Sequence, residues 1–128
     1  MQKHIKSLLK GSIVYFSIAI TILIAVLSLV KIHQPSIKFT YLDKIEHIIA
    51  YFVLAICWFC TIHLKTKNNS LKKTVFFLCI SYGILLEVLQ GTLTSYRTAD
   101  WKDMIANSIG VLIALLIFNK FFQKKLVN

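Results

Sequence analysis

The sequence predicts an all-α, polytopic membrane protein of four transmembrane helices with both termini cytoplasmic, and three observations carry that class. Of 128 residues, 57% are hydrophobic and only 16% charged, more apolar surface than so small a soluble domain can bury. The apolar residues fall into four long runs rather than short alternating ones. One Pro, four Gly and no Ser/Gly-rich tract argue against a flexible linker, so one membrane domain is expected over 1–128.

The first span needs little argument. Ser12 to Val30 is nineteen residues without a charge, enough at about 1.5 Å per residue to cross about 30 Å of hydrocarbon. Lys3, Lys6 and Lys10 before it imitate a signal peptide, but the run outlasts a cleavable apolar region and no A-x-A site follows, so a retained signal-anchor is expected. Pro35 falls in the loop behind it. Three further runs, Ile48 to Leu64, Thr74 to Leu86 and Met104 to Asn119, contain no Asp, Glu, Lys or Arg. The last two are shorter than the roughly 20 residues a spanning helix needs. To cross, each run must take in polar neighbours, which sets spans one to four at about 12–30, 43–63, 74–93 and 100–122. Asn68-Asn69-Ser70 marks a tight turn between spans two and three, and Gly91 is expected to open the loop before span four.

Orientation follows from the basic residues. Ten of the fifteen flank the side that holds both termini and the loop between spans two and three; Lys31, Lys38, Lys44, Arg97 and Lys102 fall on the other. By the positive-inside rule the termini are cytoplasmic. The net charge of +10 then reads as lysines anchored on anionic membrane lipid, with no nucleic-acid partner, because no basic cluster lies away from the membrane flanks. All five acids, Asp43, Glu46, Glu87, Asp100 and Asp103, belong to the outer half. Charge inside a membrane is costly enough to require a partner or a role.

The acids recur with other polar residues at helical spacing. On span two Asp43, His47, Ala50, Tyr51 and Leu54 share one face; on span three Gly83, Glu87 and Gln90; around the start of span four Arg97, Asp100, Asp103, Asn107 and Gly110. Three such stripes at one depth can converge in a bundle core. The pattern Asp43-Lys44-x-x-His47-x-x-x-Tyr51, Gly83-x-x-x-Glu87-x-x-Gln90 and Arg97-x-x-Asp100-x-x-Asp103-x-x-x-Asn107-x-x-Gly110 resembles the VanZ-like family of small bacterial membrane proteins, over about residues 41 to 115. The resemblance implies a multi-pass protein of the bacterial cytoplasmic (inner) membrane with a role in the cell envelope. The family's founding member is linked to teicoplanin resistance, but the resemblance implies no agreed biochemical activity.

The polar stripes suggest a site at the outer leaflet that binds or modifies an anionic envelope lipid or lipid-linked precursor. Glu87, His47 and Asp103 would orient the ligand or move protons. Asp43, Lys44, Tyr51, Gln90, Arg97, Asp100 and Asn107 would line the site, with Arg97, helped by Lys44 or Lys102, holding the anion. Arg97 is equally suited to pair internally with a carboxylate, and Asp100 to cap span four, with Asp103 in its first turn. Ser81, Ser95, Thr92, Thr94 and Ser108 are near enough to consider as nucleophiles, but none has triad or elbow spacing, so no enzyme is asserted. His47, Glu87, Asp100 and Asp103 could ligate an ion, but their spacing matches no closed zinc pattern and Arg97 would compete, so neither metal nor cofactor is expected. The Cys57-x-x-Cys60 pair and Cys79 read as apolar packing. Ala106, Gly110 and Ala114 form a small-residue ladder for close approach to span three through Gly83, or to a second copy in a homo-oligomer. The rival functions are a small proton-linked transporter using Glu87 and His47, and a non-catalytic membrane scaffold.

Overall fold

A computed structural model describes residues 1–30, 40–66, 68–95 and 98–121. They form α1 (Gln2–Leu29), α2 (Thr40–Thr66), α3 (Asn69–Leu93) and α4 (Trp101–Phe121), with no strand among the described residues. All four helices are long and apolar enough to cross a membrane. Pro35 and its loop lie outside the described residues.

Two helices start five or more residues before their expected spans. α1 starts at Gln2, ten residues before Ser12, and carries Lys3, Lys6 and Lys10 as exposed helical residues. α3 starts at Asn69, so Lys72 and Lys73 lie within its first turns. The hydrocarbon core limits which residues must be apolar, and says nothing of where backbone hydrogen bonding stops. Asn68 ends the turn as the N-cap of α3, its Oδ1 accepting from the Ser70 N–H at 3.0 Å. Gly91 does not open a loop: it lies in the last turn of α3, where a Cβ would stand 2.9 Å from Ala99 Cβ.

The helices alternate in direction. Near one end Thr61 of α2 bonds Ser17 of α1, and Lys72 of α3 bonds Asn119 of α4. At the other end α2 and α4 begin. α2 is the hub: it packs against the other three, most extensively against α4, while α1 touches α2 and α3 but not α4 among the described residues. Leu54, Ala55 and Phe59 meet Val111, Ala114 and Phe118 in the core, with Phe59 and Phe118 rings 5.6 Å apart.

The small-residue ladder of α4 is used inside the chain, and against α2 rather than α3. Ala106, Gly110 and Ala114 are all buried. A Cβ on Gly110 would run into the Ile48 carbonyl oxygen and come within 3.0 Å of Phe52 N. Only glycine admits backbone contact that close. Gly83 plays a lesser part, facing the Tyr51 ring and the Asn107 side chain at 3.0 and 3.1 Å.

Polar groups on α1 hold it to α2 and α3. Ser17 Oγ and Thr61 Oγ1 are 2.8 Å apart, Trp58 Nε1 donates to Thr21 Oγ1 at 2.9 Å, and the Tyr82 hydroxyl donates to the Thr21 carbonyl at 2.6 Å. The only fully buried residues of α1 are Ser17 and Ile24, so most of its surface is left to lipid.

Candidate functional site

Each wall of the site is one inward stripe. On α2, Asp43, His47 and Tyr51 follow at i, i+4 and i+8; on α4, Asp103, Asn107 and Gly110 follow at i, i+4 and i+7; on α3, Gly83, Glu87 and Gln90 are all buried. Because Gly110 lets α4 lie on the backbone of α2, the polar residues of those two helices meet at the end where both begin.

Lys44 is the centre of the charged group. Its Nζ donates to Asp103 Oδ1, to Asp100 Oδ2 at 3.1 Å and to Asp43 Oδ2 at 3.5 Å. In sequence Lys44 stands one residue off the Asp43–His47 stripe, and its long stem carries the ammonium across to α4. Three carboxylates thus pair with the ammonium that the sequence offered as help in holding an anion.

His47 is fixed from behind. Its Nδ1 lies 3.0 Å from Asn107 Oδ1, and an amide oxygen only accepts, so the imidazole donates there. Nε2 then faces Asp103 Oδ2 at 3.6 Å and Asp43 Oδ1 at 3.8 Å, beyond hydrogen-bonding distance. One atom from each of these three residues lies within 4.8 Å of the other two. The trio able to hold a metal thus includes Asp43 and omits Glu87 and Asp100, unlike the set suggested by the sequence.

Glu87 is 2% exposed, and its Oε1 accepts the backbone N–H of Asp100 at 2.8 Å. That bond ties α3 to the residue that starts α4. Asp100 in turn caps the helix, its Oδ1 accepting from the Lys102 N–H at 2.9 Å. The Lys102 amide first, and then Lys44, hold the Asp100 carboxyl below its ordinary range.

Not every expected residue joins this group. Gln90 turns away to α1, its Nε2 donating to the Ser28 carbonyl at 2.8 Å. Tyr51 is buried one turn deeper, against Gly83 and 6.4 Å from the Tyr82 ring. Glu46 is exposed, so four of the five acids gather at the α2–α3–α4 junction and one does not. Arg97 lies outside the described residues. Sequence reasoning missed Ser17 and Thr21, whose hydroxyls bond α2. Their spacing of i, i+4 puts them on one face and is a usable signal.

Comparison with known proteins adds a family. The chain is similar to the uncharacterized protein C11E3.10 of Schizosaccharomyces pombe, 27% identical over 109 residues, which is 85% of this chain and 66% of that protein. It therefore spans just under two thirds of that relative's length, and a yeast relative leaves the kind of membrane open. No solved structure matches. The VanZ/LLP1 family model matches residues 4–123, and the chain belongs to that family.

Proposed function

We propose that the chain receives the anionic headgroup of a lipid or lipid-linked precursor at one face of a cell membrane, the outer face of a bacterial cytoplasmic membrane. One observation carries this: Lys44, His47, Glu87, Asp103 and Asn107, from three helices, meet within a membrane-spanning bundle at a single end. Burying so many ionisable groups is costly, and such groups mark functional sites by default. Lys102 flanks this end, and Arg97 precedes Asp100 by three residues in sequence, which supplies the cations an anion needs. Glu87, His47 and Asp103 would orient the bound group. The scaffold alternative also has an observation in its favour, since every buried side-chain polar atom among the described residues has a partner.

The test compares retention of a polyprenyl phosphate and the matching polyprenol by the purified full chain in micelles, read by native mass spectrometry. We expect the phosphate to be favoured at least five-fold, the preference to vanish in Arg97→Gln, and Lys65→Gln at the opposite end to keep it. Glu87→Gln preserves the oxygen that accepts from Asp100, so it folds but changes retention if the site binds a headgroup. Equal retention of phosphate and alcohol overturns the reading, and an inert Glu87→Gln favours the scaffold. Thr98→Cys, at the same end, should react with an impermeant thiol reagent from outside; labelling only from the cytoplasm reverses the proposed orientation.

A further inference from the structure

We propose that Asp43, His47 and Asp103 bind a divalent cation of borderline hardness, such as Mn2+, Co2+ or Zn2+, at the mouth of this end of the bundle. The argument starts from the imidazole. Asn107 takes the Nδ1 proton, so in the neutral ring the Nε2 lone pair points at Asp43 Oδ1 and Asp103 Oδ2, 3.8 and 3.6 Å away. With the ring neutral these three electron-rich atoms repel, and a metal ion standing where a second ring proton would otherwise sit turns that repulsion into coordination. Two ligands about 2.1 Å from one tetrahedral ion stand about 3.4 Å apart, so the two edges that meet at His47 need to close by only a few tenths of an ångström, while the two carboxylate oxygens lie within 4.8 Å of each other.

The surroundings fit the same purpose. Lys44 holds the other oxygens, Asp43 Oδ2 and Asp103 Oδ1, and so orients both carboxylates without occupying the atoms that face His47. Asn107 behind the ring is the kind of outer partner that fixes a ligating histidine. One nitrogen and two carboxylate oxygens favour a borderline ion over Mg2+ or Ca2+, which prefer oxygen throughout. Three protein ligands also leave positions open. Lys44 already pairs with three aspartates here and Glu87 lies beside them, so an ion held by the trio would add to the positive charge that Lys102 and Arg97 bring to a phosphate. Only that last role rests on the headgroup reading; binding of the ion does not.

The test is a Mn2+ titration of the tag-free full chain in micelles without lipid or phosphate, followed by electron paramagnetic resonance. One equivalent should bind, with a nuclear coupling to a single imidazole nitrogen. His47→Gln should abolish that coupling, and Asp43→Asn should weaken binding at least ten-fold. Asp43 is exposed at the start of α2, so this variant keeps the fold even if an Asp103 variant does not. Asn107→Ala should weaken binding about ten- to a hundred-fold, whereas Glu46→Gln, an exposed acid outside the trio, should change nothing. Absence of nitrogen coupling, or equal weakening by Glu46→Gln and Asp43→Asn, overturns the proposal by showing an ion held only by surface charge. Because lipid is absent, failure here leaves the headgroup reading standing. Loss of polyprenyl phosphate selectivity in the assay above leaves the cation site standing.

Discussion

Where α2 and α4 begin, they are joined by charge: Lys44 reaches three aspartates and His47 leans on Asn107. Where the same two helices end, they are joined by rings. Phe59 and Phe118 pack at 5.6 Å, His63 meets Phe118 edge-on, and Lys72 stands 5.9 Å over that ring while donating to Asn119. In lipid, apolar surface gains little by leaving the solvent, so the ring end holds by close packing with one lysine hydrogen bond beside it. That end is economical and could serve any bundle. The charged end places more ionisable groups together than packing needs, and that difference is what supports the proposed site there.

The contact that makes both ends possible is Gly110, between them, and breaking it should have the largest effect. In Gly110→Ala the added methyl meets the Ile48 carbonyl and Phe52 N, backbone atoms that cannot swing aside. The helices must separate, with a loss above about 3 kcal/mol, the upper range for overpacking. Gly83→Ala meets only the Tyr51 and Asn107 side chains at 3.0–3.1 Å and should lose about 1–2 kcal/mol. Gly11 has nothing within 4 Å, so Gly11→Ala should match or slightly exceed the parent, by up to about 1 kcal/mol. Reversible unfolding in mixed micelles, followed by circular dichroism, ranks the three; a mild Gly110→Ala would mean that α2 and α4 are not in backbone contact.

The same substitution at each end sharpens the contrast. Lys44→Met leaves Asp43, Asp100 and Asp103 facing one another without their cation, in a setting between an exposed pair and a buried one, and should cost about 1–3 kcal/mol. Lys72→Met gives up one hydrogen bond and a cation–ring contact but keeps the stem against Phe118, with a loss under about 1 kcal/mol. Equal losses in the same unfolding assay would remove the distinction between the ends.

Much of this contrast is legible in the sequence. Asp103, Asn107, Gly110 and Ala114 keep one face of α4, as Asp43, His47 and Tyr51 keep one face of α2, and each face is where the spacing puts it. What spacing cannot supply is the neighbour. A ladder of small residues calls for close approach but does not name the helix approached, and Gly110 lies against α2 where Gly83 suggested α3. Gln90 shares a stripe with Glu87, yet three residues turn a helix through about 300°, enough to aim it at α1. Lys44 is legible as a site residue but its pairing is not, because its reach, not its position, brings it to Asp103. Thr21 hides because its hydroxyl also bonds the Ser17 carbonyl one turn back, so a threonine inside an apolar run looks self-sufficient.

The smallest effect tests how far charge, beyond hydrogen bonding, matters at the start of α4. Asp100 Oδ1 accepts from the Lys102 N–H and Oδ2 from Lys44, and both bonds favour the ionised carboxyl. Its pKa therefore lies below the ordinary value of 3.8. A group depressed in the folded state stabilises fully above its unfolded value and loses that contribution as pH falls through the folded one. The parent should thus weaken below about pH 4 by this route. Asn is as good an N-cap as Asp, so Asp100→Asn keeps the cap and loses only the ionic part with Lys44. With the Asp100 side chain 39% exposed, that part is under about 1 kcal/mol at neutral pH. The difference between parent and Asp100→Asn in melting temperature should therefore shrink from pH 6 to pH 3, a comparison that cancels the other carboxylates titrating in the same range. A constant difference would show that Lys44 gives Asp100 no ionic stabilisation and that the cap alone sets this helix start.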